Sequence, residues 1–85
     1  MKSFDYITRG VCSRGIHIEV DDSGVITLVR FQGGCSGNTQ GVARLAEGRK
    51  MDDVIETLKG IRCGTKNSSC PDQLANALEE MKKTL

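Results

Sequence analysis

Four cysteines, Cys12, Cys35, Cys63 and Cys70, are the residues of this 85-residue chain whose chemistry stands out. Reduced thiols serve as small buried hydrophobes, as metal ligands or as redox-active groups. Their spacings contain no C-x-x-C pair, so no common zinc or redox pattern applies. Four cysteines allow three disulfide pairings, but stable disulfides belong to oxidising compartments. The first twenty residues are interrupted by Asp5, Arg9, Arg14 and Glu19, which break up the apolar run of about 7–15 residues that a secretory leader needs. No segment approaches the roughly 18 apolar residues of a membrane span. The expectation is a cytoplasmic protein with no membrane partner, its thiols reduced.

Cys70 falls in the first turn of an expected helix, where unpaired N–H groups and the macrodipole favour a negative charge. A six-residue loop separates it from Cys63. That loop could close into a disulfide, so the two suit a thiol relay as well as a ligand pair. The other candidates for chemistry are weaker. The stretch GGCSGNTQG, residues 33–41, follows a strand and precedes a helix, as phosphate-binding loops do. It matches neither G-x-x-x-x-G-K-[ST] nor G-x-G-x-x-G, and reads as a tight turn with a helix cap. His17 stands alone on the polar side of a strand and reads as a surface histidine, so no Ser/His/Asp arrangement can be assembled. Asp21-Asp22 reads as a turn and Asp52-Asp53 as a helix cap. Arg9, Arg14, Arg30, Arg44, Arg49 and Arg62 are scattered, as on a solvated surface.

The elements that must position these residues follow from composition and periodicity. The chain has 38% hydrophobic and 27% charged residues, one proline and no tryptophan, as in an ordinary soluble domain. Twelve Lys and Arg against eleven Asp and Glu give a formal charge of +1, which argues against a nucleic-acid partner. A domain this small buries only about 60% of its unfolded surface, so a metal or a partner chain is a common supplement to its core. Residues 4–9 read as a first strand. Ile16, Ile18 and Val20 alternate with His17, Glu19 and Asp21 to give a half-buried strand over 16–21. Asp22-Ser23-Gly24 turns the chain into a third strand over 25–31. Asn38 or Thr39 is the expected cap of a helix that turns Val42, Leu45 and Ala46 inward and ends at Gly48. Asp52 is the expected cap of a second helix, with Val54, Ile55 and Leu58 inward and Gly60 at its end. Ser69-Cys70-Pro71-Asp72 fits the S-x-x-D capping box of a third. Its apolar stripe is Leu74, Leu78, Met81 and Leu85, with Glu79 and Lys83 paired on the solvent side. The whole chain, 1–85, reads as one α+β domain. A small antiparallel three-stranded sheet is followed by three helices packed on one face, in the order βββααα.

Topology brings the cysteines together where spacing does not. If the first strand runs upward, it ends near Cys12 at the top, and the third strand returns to the top near Cys35. The first helix descends, the second climbs to end before Cys63, and the third begins at Cys70. All four therefore map to one edge of the domain. A shared site would hold zinc on four thiolates, or an iron–sulfur cluster with the same ligand set. Either would add stability to a thin core.

The segments F-x-G-G-C-x-G-N at 31–38, I-R-C-G at 61–64 and S-C-P-D-Q-L-A at 69–75 carry a resemblance. The chain resembles, end to end, the TSCPD domain in its small stand-alone four-cysteine form, with Ser68 in place of the family's threonine. Longer relatives carry this domain near the C-terminus of ribonucleoside-diphosphate reductases, so the resemblance implies a link to deoxynucleotide synthesis. An 85-residue chain has no room for the barrel and radical machinery of a reductase.

The sequence thus points to an accessory module, not an enzyme on its own. Cys12, Cys35, Cys63 and Cys70 bind zinc or an iron–sulfur cluster, and the module docks on or regulates a ribonucleotide reductase or another larger enzyme. The alternatives are a thiol/disulfide carrier using Cys63 and Cys70, and a nucleotide binder through the 33–41 loop. The exposed edges of a three-stranded sheet also allow a homodimer.

Overall fold

The computed structural model describes residues 2–33 and 36–84, and Gly34 and Cys35 fall outside them. Three antiparallel strands, β1 (Lys2–Ile7), β2 (Ser13–Val20) and β3 (Ile26–Gly33), form one sheet in the order β1-β2-β3. Three helices follow: α1 (Ser36–Ala46), α2 (Met51–Leu58) and α3 (Cys70–Lys82). The α+β fold and its βββααα order are those read from the sequence. Among the described residues no helix is long and apolar enough to cross a membrane.

The pleat sorts the side chains. Ile16, Ile18 and Val20 on β2 stand opposite Phe31, Val29 and Ile26 on β3, and Phe4 and Tyr6 on β1 share that face. This apolar face meets Ala43, Ala46, Met51, Val54, Leu74, Ala77, Leu78 and Met81 from the three helices to make the core. The other face carries the row Asp5, His17 and Arg30. The hairpin turn is built by Asp21, whose carboxylate accepts the N–H of Ser23 (2.8 Å) and of Val25 (3.0 Å), while Gly24 takes a φ of +83°. A side chain that mimics a backbone acceptor is what stabilises such turns. The outer edge of β3 is closed by Glu47, which accepts the N–H of Val29 at 3.0 Å.

The helices differ from expectation in their starts. β1 and β2 begin earlier than expected, at Lys2 and Ser13, and β3 runs on to Gly33. Gly33 turns out of the strand at φ +78°. α1 begins at Ser36, so Asn38 and Thr39 lie inside it instead of capping it, and most of the 33–41 segment is helical. Its glycines Gly37 and Gly41 sit on the exposed side, where their low propensity is offset by packing on the opposite face. That face is Thr39, Ala43 and Ala46, all buried. Leu45 points away and is 75% exposed, because one residue's rotation of about 100° carries it off the 39/43/46 stripe. α2 starts one residue before the expected cap, at Met51, and Lys50 precedes it without a side-chain cap bond. Tertiary anchors take the cap's place: the Met51 side chain is buried, its N–H reaches the carbonyl of Gly24 at 3.0 Å, and Lys50 bridges Val25. Asp52 pairs with Lys82. Gly48 and Gly60 end α1 and α2 at positive φ, as expected. On α3 the stripe Leu74, Leu78 and Met81 is fully buried, and Leu85 lies outside the described residues. Glu79 pairs with Lys59 at 2.7 Å instead of Lys83, which pairs with Glu80 at 3.7 Å. Helix–helix contact between α2 and α3 brings Lys59 within reach, and a sequence window cannot show that.

Leu74→Ala is expected to cost about 2–5 kcal/mol in urea unfolding, because it leaves a cavity in the middle of the core. Leu45→Ala is expected to change stability by less than about 0.5 kcal/mol. A Leu45 effect as large as that of Leu74 would contradict the seating of α1.

Candidate functional site

The N-terminus of α3 organises one end of the molecule. Ser69 caps the helix, its hydroxyl accepting the N–H of Asp72 at 3.1 Å and donating to the carbonyl of Ile61 at 2.6 Å. A simple capping box would return the Asp72 carboxylate to the backbone of Ser69. Here it accepts the N–H of Gly60 at 2.6 Å and the hydroxyl of Ser68 at 2.5 Å. Ser68 in turn accepts from the Gln73 amide nitrogen at 2.9 Å. The Gln73 amide oxygen accepts the N–H of Arg9 at 3.0 Å. The polar side chains of the SSCPDQ segment are thus occupied in tying the 59–69 connection and the β1–β2 connection to one helix end. Gln73 was not singled out in the sequence. Its place directly after the S-x-x-D start of a helix is the signal the sequence carries for it.

This clamp sets the cysteines. Cys70, the first residue of α3, is buried, and its thiol donates to the Ser13 hydroxyl at 3.3 Å. Its sulfur lies 4.0 Å from that of Cys12. Cys12 sits in the β1–β2 connection, closed at its base by Thr8, which donates to the carbonyl of Ser13 at 2.5 Å. Cys63 lies in the 59–69 connection, in a turn made by Cys63 N–H to Ser68 (3.1 Å) and Lys66 N–H to Cys63 (3.0 Å). Cys12, Cys63 and Cys70 carry no disulfide. All three line one cavity of about 330 Å³, with Val11, Asn38, Lys66, Ser69 and Pro71. Among the described residues no three His, Cys, Asp or Glu side chains converge closely enough to cage a metal. Cys12 and Cys70 are the pair brought together, Cys63 shares their cavity, and Cys35 lies outside the described residues. The connections that carry the cysteines hold Arg9, Arg14, Arg62 and Lys66, while the Asp72 carboxylate lies on Gly60 and Ser68 at the helix start and Lys59 is paired with Glu79.

The family model of the TSCPD domain matches residues 2–82, nearly the whole chain. The chain belongs to the TSCPD domain family. No curated protein and no solved structure matches it. In this TSCPD domain the residues of the naming motif do structural work around a thiol that is itself part of the motif.

The remaining candidates sit elsewhere. Residues 36–41 of the glycine-rich segment form the start of α1, from which Asn38 lines the thiol cavity. The six arginines are exposed, as expected of a solvated surface. His17 lies on the outer face of the sheet, one ring nitrogen 2.7 Å from Asp5 and the other 3.0 Å from Glu19. The hydrogen bonds to Glu19 and then Asp5 raise its pKa above the ordinary 6.5.

Asp72→Ala is expected to cost about 1–3 kcal/mol by orphaning the Gly60 N–H and loosening the helix start. It is also expected to speed alkylation of Cys70 in the folded protein. Unchanged alkylation with an unchanged urea midpoint would remove the clamp. For His17 the sign follows from linkage. A raised folded pKa gives stability that is fully present below about 6.5 and lost as pH rises through the raised value. The urea midpoint is expected to fall over that window in the natural protein and to stay flat there in His17→Gln.

Proposed function

We propose that this TSCPD domain is a non-catalytic module that holds a metal, zinc or an iron–sulfur cluster, on cysteine thiolates. We further propose that it docks on or regulates a larger enzyme of deoxynucleotide synthesis, such as ribonucleotide reductase. The observation that carries the metal reading is the sulfur pair. Zn–S bonds of about 2.3 Å at tetrahedral angles place sulfurs about 3.8 Å apart, and Cys12 and Cys70 stand 4.0 Å apart. Cys63 lines the same cavity, and Cys35, expected at the same edge from the strand and helix order, is the fourth ligand. A metal there would cross-link the β1–β2 and 59–69 connections to α3 and add to the stability of a thin core. The docking half rests on the family resemblance.

The test is elemental analysis of protein purified anaerobically under reducing conditions, with titration of its thiols. About one zinc per chain, or iron with acid-labile sulfide, is expected, all four thiols staying masked until a chelator is added. A chain with no metal and four freely titrating thiols would overturn the metal reading. Failure to bind a purified ribonucleotide reductase at micromolar concentrations would overturn the docking reading.

A further inference from the structure

We infer that Cys12 and Cys70 form a redox-active dithiol that reduces small anionic disulfides of the glutathione type. The inference goes beyond the metal reading and stands on the sulfur pair alone. Thiol–disulfide exchange needs an accessible attacking thiolate and a second thiol within reach of the mixed disulfide. The two cysteines divide those roles. Cys12 is exposed, whereas Cys70 is 5% exposed and held by its hydrogen bond to Ser13. Their sulfurs are already at 4.0 Å, and a short approach of the Cys12 connection closes the distance to a bond of about 2.05 Å. The residues are 58 apart in sequence, so chain proximity does not suggest the pair.

The chemistry balances with the substrate as oxidant. The Cys12 thiolate attacks one sulfur of the disulfide and displaces the first small thiolate, leaving a mixed disulfide on Cys12. The Cys70 thiolate then attacks the Cys12 sulfur, displaces the second small thiolate and forms the Cys12–Cys70 disulfide. Two electrons pass from the protein to the substrate, and the two protons lost by the protein thiols end on the two small thiols. The charge around the cavity selects the substrate. Lys66 lines it, Arg62 adjoins Cys63, and Arg9 and Arg14 flank Cys12, with no acidic residue in those connections. Such a field draws in anionic disulfides and slows cationic ones, and salt screens it. A metal held on the same sulfurs would be released as they oxidise.

The test treats the reduced full-length chain, its metal content already measured, with glutathione disulfide and maps the products. Trypsin places the four cysteines in four peptides, 10–14, 31–44, 63–66 and 67–82, so each pairing has its own mass. The expected product is the 10–14 peptide linked to the 67–82 peptide, with two glutathione thiols released per chain and full reversal by dithiothreitol. Cys70→Ser is expected to trap glutathione on Cys12, and Cys12→Ser to slow thiol release about tenfold or more. The dicationic disulfide cystamine is expected to react more slowly, by a ratio that shrinks as salt is added. A dominant link between 63–66 and 67–82, or glutathione accumulating on Cys63 while Cys12 and Cys70 stay unmodified, would overturn the pair. Cystamine reacting as fast would overturn the substrate class. Because the map in the unaltered chain decides the pairing, a variant that fails to fold leaves the test intact. The prior metal assay shows separately whether the metal reading stands.

Discussion

The N-terminus of α3 is the constraint on which the rest of this domain depends. A helix start leaves unpaired N–H groups, and here the buried Ser69 and Asp72 convert that need into a fastening point. Each polar side chain of the cap has a partner outside the helix. Ser69 holds Ile61, Asp72 holds Gly60 and Ser68, and Gln73 holds Arg9. Two irregular connections that have little apolar surface of their own are thereby fixed to a helix whose opposite face is the centre of the core. Buried polar groups this fully satisfied specify one arrangement, since any displacement would orphan several at once.

The chemistry inherits that geometry. Cys12 and Cys63 come from the two fastened connections and Cys70 from the helix start, so one clamp sets all three around one cavity. The proposed metal site and the proposed dithiol would draw on the same sulfurs and exclude one another at any moment. A domain with both capacities would read out the redox state of its surroundings through its metal content.

Much of the architecture was legible because it rests on local physics. The alternation Ile16, Ile18, Val20 gave β2 its buried face, Asp21 to Gly24 made the turn, and the stripe Leu74, Leu78, Met81 with the S-x-x-D start made α3. The misreadings fall where tertiary contact outweighed local preference. Asn38 and Thr39 have good cap side chains, yet α1 starts earlier because packing against β3 seats Thr39, Ala43 and Ala46, which turns Leu45 outward. Asp52 was displaced as a cap because burial of Met51 and a backbone bond to Gly24 already anchor α2. Glu79 chose Lys59 over the helical neighbour Lys83 because α2 packs against α3.

By itself the sequence determined the family, the βββααα order and the buried stripes of β2 and α3, because periodicity and capping are properties of short stretches of chain; of Cys12, Cys35, Cys63 and Cys70, all expected at one edge, Cys12, Cys63 and Cys70 line one cavity and Cys35 lies outside the described residues. Only the tertiary structure decided which thiols touch. Cys63 is nearer to Cys70 along the chain, but among the described residues the sulfur 4.0 Å from that of Cys70 belongs to Cys12, 58 residues away. Proximity in sequence sets the length of a loop. The hydrogen bond from Arg9 to Gln73, formed across the fold, and the local one from Thr8 to Ser13 hold the loop that carries the Cys12 thiol.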